Sequence, residues 1–135
     1  MKKNLKIFFL VAAMATLNLA CEVDPDVPEN LRDEYLGQWD VNETTGWDAP
    51  QFYPVNIKAG TADDVIIIEQ LYNVSGTQVR AMVSGFNLNI PLQTSQGIEF
   101  KGDGQANSDF DQLSINFTAN DGTGPDDIEA VLTPR

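Results

Sequence analysis

Beyond residue 37, apolar and polar residues alternate in short blocks. In "FNLNIPLQ", Phe86, Leu88, Ile90 and Leu92 share one side, and Asn87, Asn89 and Pro91 share the other. "QLSINFTAND" sets Leu113, Ile115 and Phe117 against Ser114, Asn116 and Thr118. The same rhythm gives Tyr53, Val55 and Ile57 in "FYPVNIKAG", Val79, Ala81 and Val83 in "QVRAMVSG", Ile98 and Phe100 in "GIEFKGDG", and Ile128, Ala130 and Leu132 in "DIEAVLTP". Successive side chains of a strand point to opposite faces, so a period of two predicts a strand buried on one side and wet on the other. "DVIIIEQL" is apolar on both sides, which predicts a central strand or one covered from outside. With "QWDVNETT" there are eight segments.

Turn residues separate them at Gly60, Ser75–Gly76, Ser84–Gly85, Gly97, Gly102–Gly104 and "NDGTGPDD" over 120–127. Such gaps cannot hold crossover helices, so neighbours in sequence should pair antiparallel as a meander. Eight strands with one apolar face each close most simply into a barrel, which leaves no exposed edge. A two-sheet sandwich is the alternative. The predicted class is all-β: an eight-stranded antiparallel up-and-down meander barrel over 31–135, with a short N-terminal helix. That helix is read from "VPENLRDEYLGQW". Pro28 suits a first helical position, Leu31 and Tyr35 share a face, and Gly37 suits the residue past the end. It would cover one mouth of the barrel.

A short helix running into "YLGQWDV", with Gly-x-Trp opening the first of eight meander strands, resembles the lipocalin or calycin superfamily. More closely, the span 35–134 is similar to small lipocalin-like lipoproteins of Bacteroidetes. The shared ending is a Gly-x-Gly after the sixth strand ("GIEFKGDGQ"), an Asp-Gly hairpin in "LSINFTANDGTG", then "EAVLT". The resemblance implies that Trp39 packs across the closed end, that Gly37 allows the close approach there, and that the barrel is a binding module. The Thr-Asp-Tyr-type motif of larger lipocalins is missing.

The first residues supply an address. Lys2, Lys3 and Lys6 precede an apolar stretch from Ile7 to Ala15, then a short polar break and Ala20 before Cys21. This is the layout of a secretory signal peptide, too short to span a bilayer of about 30 Å as a helix. A cysteine placed at the cut resembles the lipobox of bacterial lipoproteins, although Asn18 stands where Leu is preferred. The resemblance implies a signal peptide over 1–20 and acyl chains such as palmitate on Cys21, which would tether the protein to the membrane. A plain secreted chain with a spare thiol is the alternative. "EVDPDVPEN" then reads as an extended acidic tether over 21–30. It resembles the acidic tract that sends such lipoproteins to the cell surface. The expected location is the outer membrane, facing either side.

Loss of residues 1–20 would remove three of the 8 bases and none of the 20 acids, leaving five bases against twenty acids, a net charge of −15. That excludes nucleic acid as a partner and disfavours anionic lipid headgroups. Histidine is absent, so no Ser-His or Cys-His pair exists, and no enzyme is predicted. Asp103, Asp109, Asp111, Asp121, Asp126 and Asp127 gather in turn-like runs without EF-hand spacing; Asp and Gly suit tight hairpins for backbone reasons, and neither metal nor cofactor is predicted.

The candidate site is the barrel itself. The positions assigned inward are apolar, among them Trp39, Ile57, Ile66, Ile68, Leu88 and Phe117, and only the Tyr53 hydroxyl offers a hydrogen bond inside. The interior is therefore either solid or shaped for a small apolar guest against Tyr53, Phe86 and Phe100. In "TTGWDAPQFYP", Trp47, Phe52 and Tyr53 crowd a loop, as a rim gripping a ligand or partner, or as a flap over the core. Two functions remain open. One is a lipid-anchored envelope module binding a small apolar ligand or a protein partner through Trp47, Phe52, Tyr53, Phe86 and Phe100. The other is a solid-core accessory subunit of an envelope assembly.

Overall fold

A computed structural model describes residues 31–135. The signal peptide, Cys21, the acidic tether and Pro28 lie outside the described residues. Eight strands follow one another: β1 (Gly37–Glu43), β2 (Gln51–Ala59), β3 (Val65–Glu69), β4 (Gln78–Ser84), β5 (Asn87–Ser95), β6 (Ile98–Ala106), β7 (Leu113–Asn120) and β8 (Pro125–Pro134). Each pairs antiparallel with the next, and β1 returns to β8 from Trp39↔Pro134 to Glu43↔Ala130, so the barrel is closed. The sandwich is excluded. The eight segments of alternating sequence are these eight strands.

The expected N-terminal helix is a single 3-10 turn, Arg32–Tyr35. It lies where β1 begins and β2, β4, β6 and β8 end, here called the floor. The opposite end, where Glu43 pairs with Gln51 and Asn120 with Pro125, is the mouth. Tyr35 is fully buried in the floor, and its hydroxyl donates to the Gly85 carbonyl at 2.8 Å. Burial pushes that phenol up to about 12. The indole of Trp39, also buried, donates to the Tyr35 carbonyl at 2.9 Å and fixes the turn beneath the barrel.

Gly37 is required for a different reason from the one expected. A side chain there would meet nothing within 4 Å, so close approach is not the constraint; the backbone sits at φ +122°. Only glycine tolerates that region without strain. Gly37→Ala should destabilise the fold by about 2 kcal/mol, measured by urea unfolding, although it deletes no contact.

Two expectations fail in β5 and β6. The alternation places Phe86 and Leu92 inward. The β5–β6 register shifts between Ile90 and Gln93, so an irregularity at Pro91–Leu92 reverses the alternation and puts Leu92 outside. Phe86 precedes β5, in the turn that Gly85 makes at φ +60°, and stays 38% exposed. Gly102–Gly104 is not a turn after the sixth strand but lies inside β6. Both glycines belong to the inward phase of Ile98, Phe100 and Ala106. A side chain on Gly102 would stand 2.4 Å from the Asn116 carbonyl and 2.7 Å from Phe117 Cα; one on Gly104 would stand 2.5 Å from Leu88. The turn falls instead at 107–112, where the Asn107 side-chain oxygen accepts the N–H groups of Asp111 and Gln112.

The doubly apolar β3 is covered from outside only in part. Ile66 and Ile68 fill the core, whereas Val65 is shielded by the turn at Gly60, whose N–H donates to the Val65 carbonyl at 2.8 Å. Ile67 lies between Lys58 and Arg80 in the cross-strand rows.

Candidate functional site

The mouth holds buried polar groups that a period of two does not single out. Glu43 closes β1 and Asp126 is the second residue of β8, each only 1% exposed. Both occupy the inward phase of their strands, after Trp39 and Val41 in one case and before Ile128 and Ala130 in the other. Tyr53 points inward from β2, and its hydroxyl donates to Glu43 Oε1 at 2.5 Å. The Gln51 amide donates to Glu43 Oε2 at 3.1 Å. The β3–β4 connection bends over the opening and buries Leu71. There the Tyr72 N–H donates to the Tyr53 oxygen at 2.9 Å, and the Tyr72 hydroxyl donates to Asp126 Oδ2 at 2.8 Å. Asp126 Oδ1 accepts the Trp47 N–H at 3.0 Å.

This plug is held in a costly conformation. Gln70, Tyr72 and Asn73 have φ of +76°, +66° and +56°, the left-handed region that side chains rarely adopt. The hydrogen bonds to Tyr53 and Asp126, the Asn73 amide on Gln51 Oε1 at 2.9 Å, and the Thr77 hydroxyl facing the Leu71 and Val74 carbonyls oppose its release.

Among the described residues, both buried carboxylates are satisfied by neutral donors rather than by a cation. Burial, first of all, raises the Glu43 carboxyl above its ordinary value; the Tyr53 and Gln51 bonds oppose the rise, and Asp126 and Asp48 add to it. Burial likewise raises the Tyr53 and Tyr72 phenols, assisted by the neighbouring carboxylates. A raised carboxyl binds its proton more tightly in the fold than in the unfolded chain. Its stabilising share is present in full below the unfolded value near 4.5 and is lost as pH rises through the raised folded value. Glu43→Gln, which keeps an acceptor for Tyr53, should flatten that decline. The check is the difference between wild type and variant in urea-unfolding free energy from pH 4 to 8.

The predicted aromatic cluster is divided by the fold. Tyr53 points into the barrel. Phe52, its neighbour, is 71% exposed on the outer wall of β2. Trp47 is 59% exposed, its ring 3.9 Å from where a side chain on Gly124 would begin, over the β7–β8 hairpin. The loop carrying Trp47 is fastened to β8: the Thr44 N–H donates to the Glu129 carbonyl at 2.8 Å, and the Glu129 N–H to the Thr45 hydroxyl at 2.9 Å. Phe100 is fully buried in the core, 6.3 Å from the Phe117 ring. Phe86 is at the floor, outside the core. The five candidates therefore do not face one cavity.

The interior is packed. Aromatic and branched side chains from all eight strands form one cluster, which reaches the bare backbone of Gly102 and Gly104. Tyr35 and Trp39 close the floor, and Leu71 and Tyr72 close the mouth. Of the acidic turns, Asp121 is a hairpin device: the Thr123 hydroxyl and N–H both donate to it and hold its carboxyl below the usual range. Among the described residues, no three His, Cys, Asp or Glu side chains are grouped as metal ligands.

Fold and site together define a closed, filled, lipocalin-like eight-stranded barrel with an ionisable cluster under its plugged mouth. No protein-family model and no curated protein matches the chain.

Proposed function

We propose that this protein is a lipid-anchored interaction module of the bacterial cell envelope, a small lipocalin-like lipoprotein that works through its outer surface rather than through a ligand inside the barrel. The observation that supports the outer surface is the filled interior: Phe100 and its neighbours are packed into one buried cluster, and both ends are shut. The large apolar side chains Trp47, Phe52 and Leu92 are outside instead. The partner is an envelope protein with a basic contact surface. Asp48 and Asp121 are exposed in the loops at the mouth, so that end offers an anionic field beside the Trp47 ring.

Anchoring rests on the sequence around Cys21. Cys21→Ser should abolish labelling by radioactive palmitate and move the protein from the membrane to the soluble fraction. Native mass spectrometry of the detergent-extracted protein tests the closed interior. The expected spectrum is the acylated chain alone; a lipid held noncovalently in one-to-one ratio would return the site to the inside of the barrel.

A further inference from the structure

The floor carries a second surface, of opposite character to the mouth. A groove of about 460 Å³ runs between Phe86 and the β6–β7 hairpin, lined by Gln105, Asn107, Ser108, Gln112 and Ser114. None of these is charged, in a chain with 20 acidic residues. From these residues the geometry points to a binding groove for a neutral saccharide, with a pyranose ring stacked by its C–H face on Phe86 and its hydroxyls paired with the surrounding amides and hydroxyls.

The ring is held in place from beneath. Phe86 packs on Phe110 at 5.4 Å between centroids, and Phe110 meets the edge of buried Tyr35 at 5.1 Å. The Tyr35 hydroxyl is bonded to the Gly85 carbonyl, one residue before Phe86. A supported, half-exposed ring loses little freedom when something lies on it.

Four of the five polar side chains beside it are uncommitted. Asn107 is used within its own turn, accepting from Asp111 and Gln112 and donating to the Asp111 carboxylate. The side chains of Gln105, Ser108, Gln112 and Ser114 make no hydrogen bond among the described residues. Cross-strand pairing sets Asn87, Gln105 and Ser114 in one outward row, so their donors and acceptors stand at strand spacing along the groove. Amides and hydroxyls offer both donor and acceptor, as sugar hydroxyls require. A phosphate would want a cation, a metal would want carboxylates, and a lipid tail would want more than one ring; the lining supplies none of these.

The site is at the opposite end of the barrel from Trp47 and does not depend on the protein-partner reading. The test uses the full chain in a zwitterionic, sugar-free detergent, titrated with maltohexaose, cellohexaose and mannohexaose, and with hexagalacturonate as an acidic counterpart. Amide NMR shifts should move at Phe86, Gln105, Gln112 and Ser114 with at least one neutral hexasaccharide and not with the acidic one. Phe86→Ala and Gln105→Ala should each weaken that binding about tenfold, while Phe52→Ala at the other end leaves it unchanged. Gln105 is exposed, so its variant decides the matter even where Phe86→Ala unfolds. Failure of all three neutral sugars to move these amides, or binding that survives Gln105→Ala and Phe86→Ala, overturns the assignment.

Discussion

Tyr53→Phe should destabilise the barrel by about 3 kcal/mol, out of proportion to the single oxygen it removes. That oxygen is both donor and acceptor: it donates to Glu43 at 2.5 Å and accepts the Tyr72 N–H at 2.9 Å. Its loss leaves a buried carboxylate short of its strongest partner and a backbone N–H unpaired in a turn already held at positive φ. Each unsatisfied buried group costs about 1–3 kcal/mol, more when charged. The penalty should grow with pH, because Glu43 without Tyr53 holds its proton to still higher pH. Adding Glu43→Gln should recover part of the loss. A double-mutant cycle in urea, at pH 5 and pH 8, measures the coupling; strict additivity at both would mean that the two side chains do not act as a unit.

Gly102→Ala should cost about 3 kcal/mol, from one added methyl group. The methyl would meet the Asn116 carbonyl at 2.4 Å and Phe117 Cα at 2.7 Å, and both are backbone of the neighbouring strand β7. A flexible side chain could swing away; a paired strand must move as a whole and carry its ladder with it. Gly104→Ala meets the tip of Leu88 at 2.5 Å but also the Ser114 carbonyl at 2.7 Å, so its cost should be the smaller of the two. Thermal unfolding of both variants orders them. An equal, near-zero effect would mean that β6 and β7 lie farther apart than described.

The mouth cluster was half legible. Glu43 and Asp126 sit at inward positions of strands whose other inward residues are Val41, Ile128 and Ala130, so the alternation already marked them as buried acids. Alternation alone does not make such a burial credible, because carboxylates are expected in water and the neutral donors that make it tolerable come from distant segments. Tyr72 could not be found this way. It lies outside any strand, and its position depends on a turn with three left-handed residues and no glycine among Gln70, Tyr72 and Asn73. The assignments of Phe86 and Leu92 failed because alternation carries no sign of a register shift, which is settled between two strands rather than within one.

By itself, the sequence determined that this protein is built of eight half-buried antiparallel strands that follow one another as a meander, with Trp39 on their inward face. Those conclusions need only the period of the side chains, the spacing of the turns and the inventory of residue types, all local properties. Only the tertiary structure decided that the barrel is full, that its mouth is plugged through Glu43, Tyr53, Tyr72 and Asp126, and that Trp47 and Phe52 part company. Volume, closure and the meeting of residues such as Tyr72 and Asp126, 54 positions apart, arise where strands pack against one another. No stretch of the chain encodes them alone.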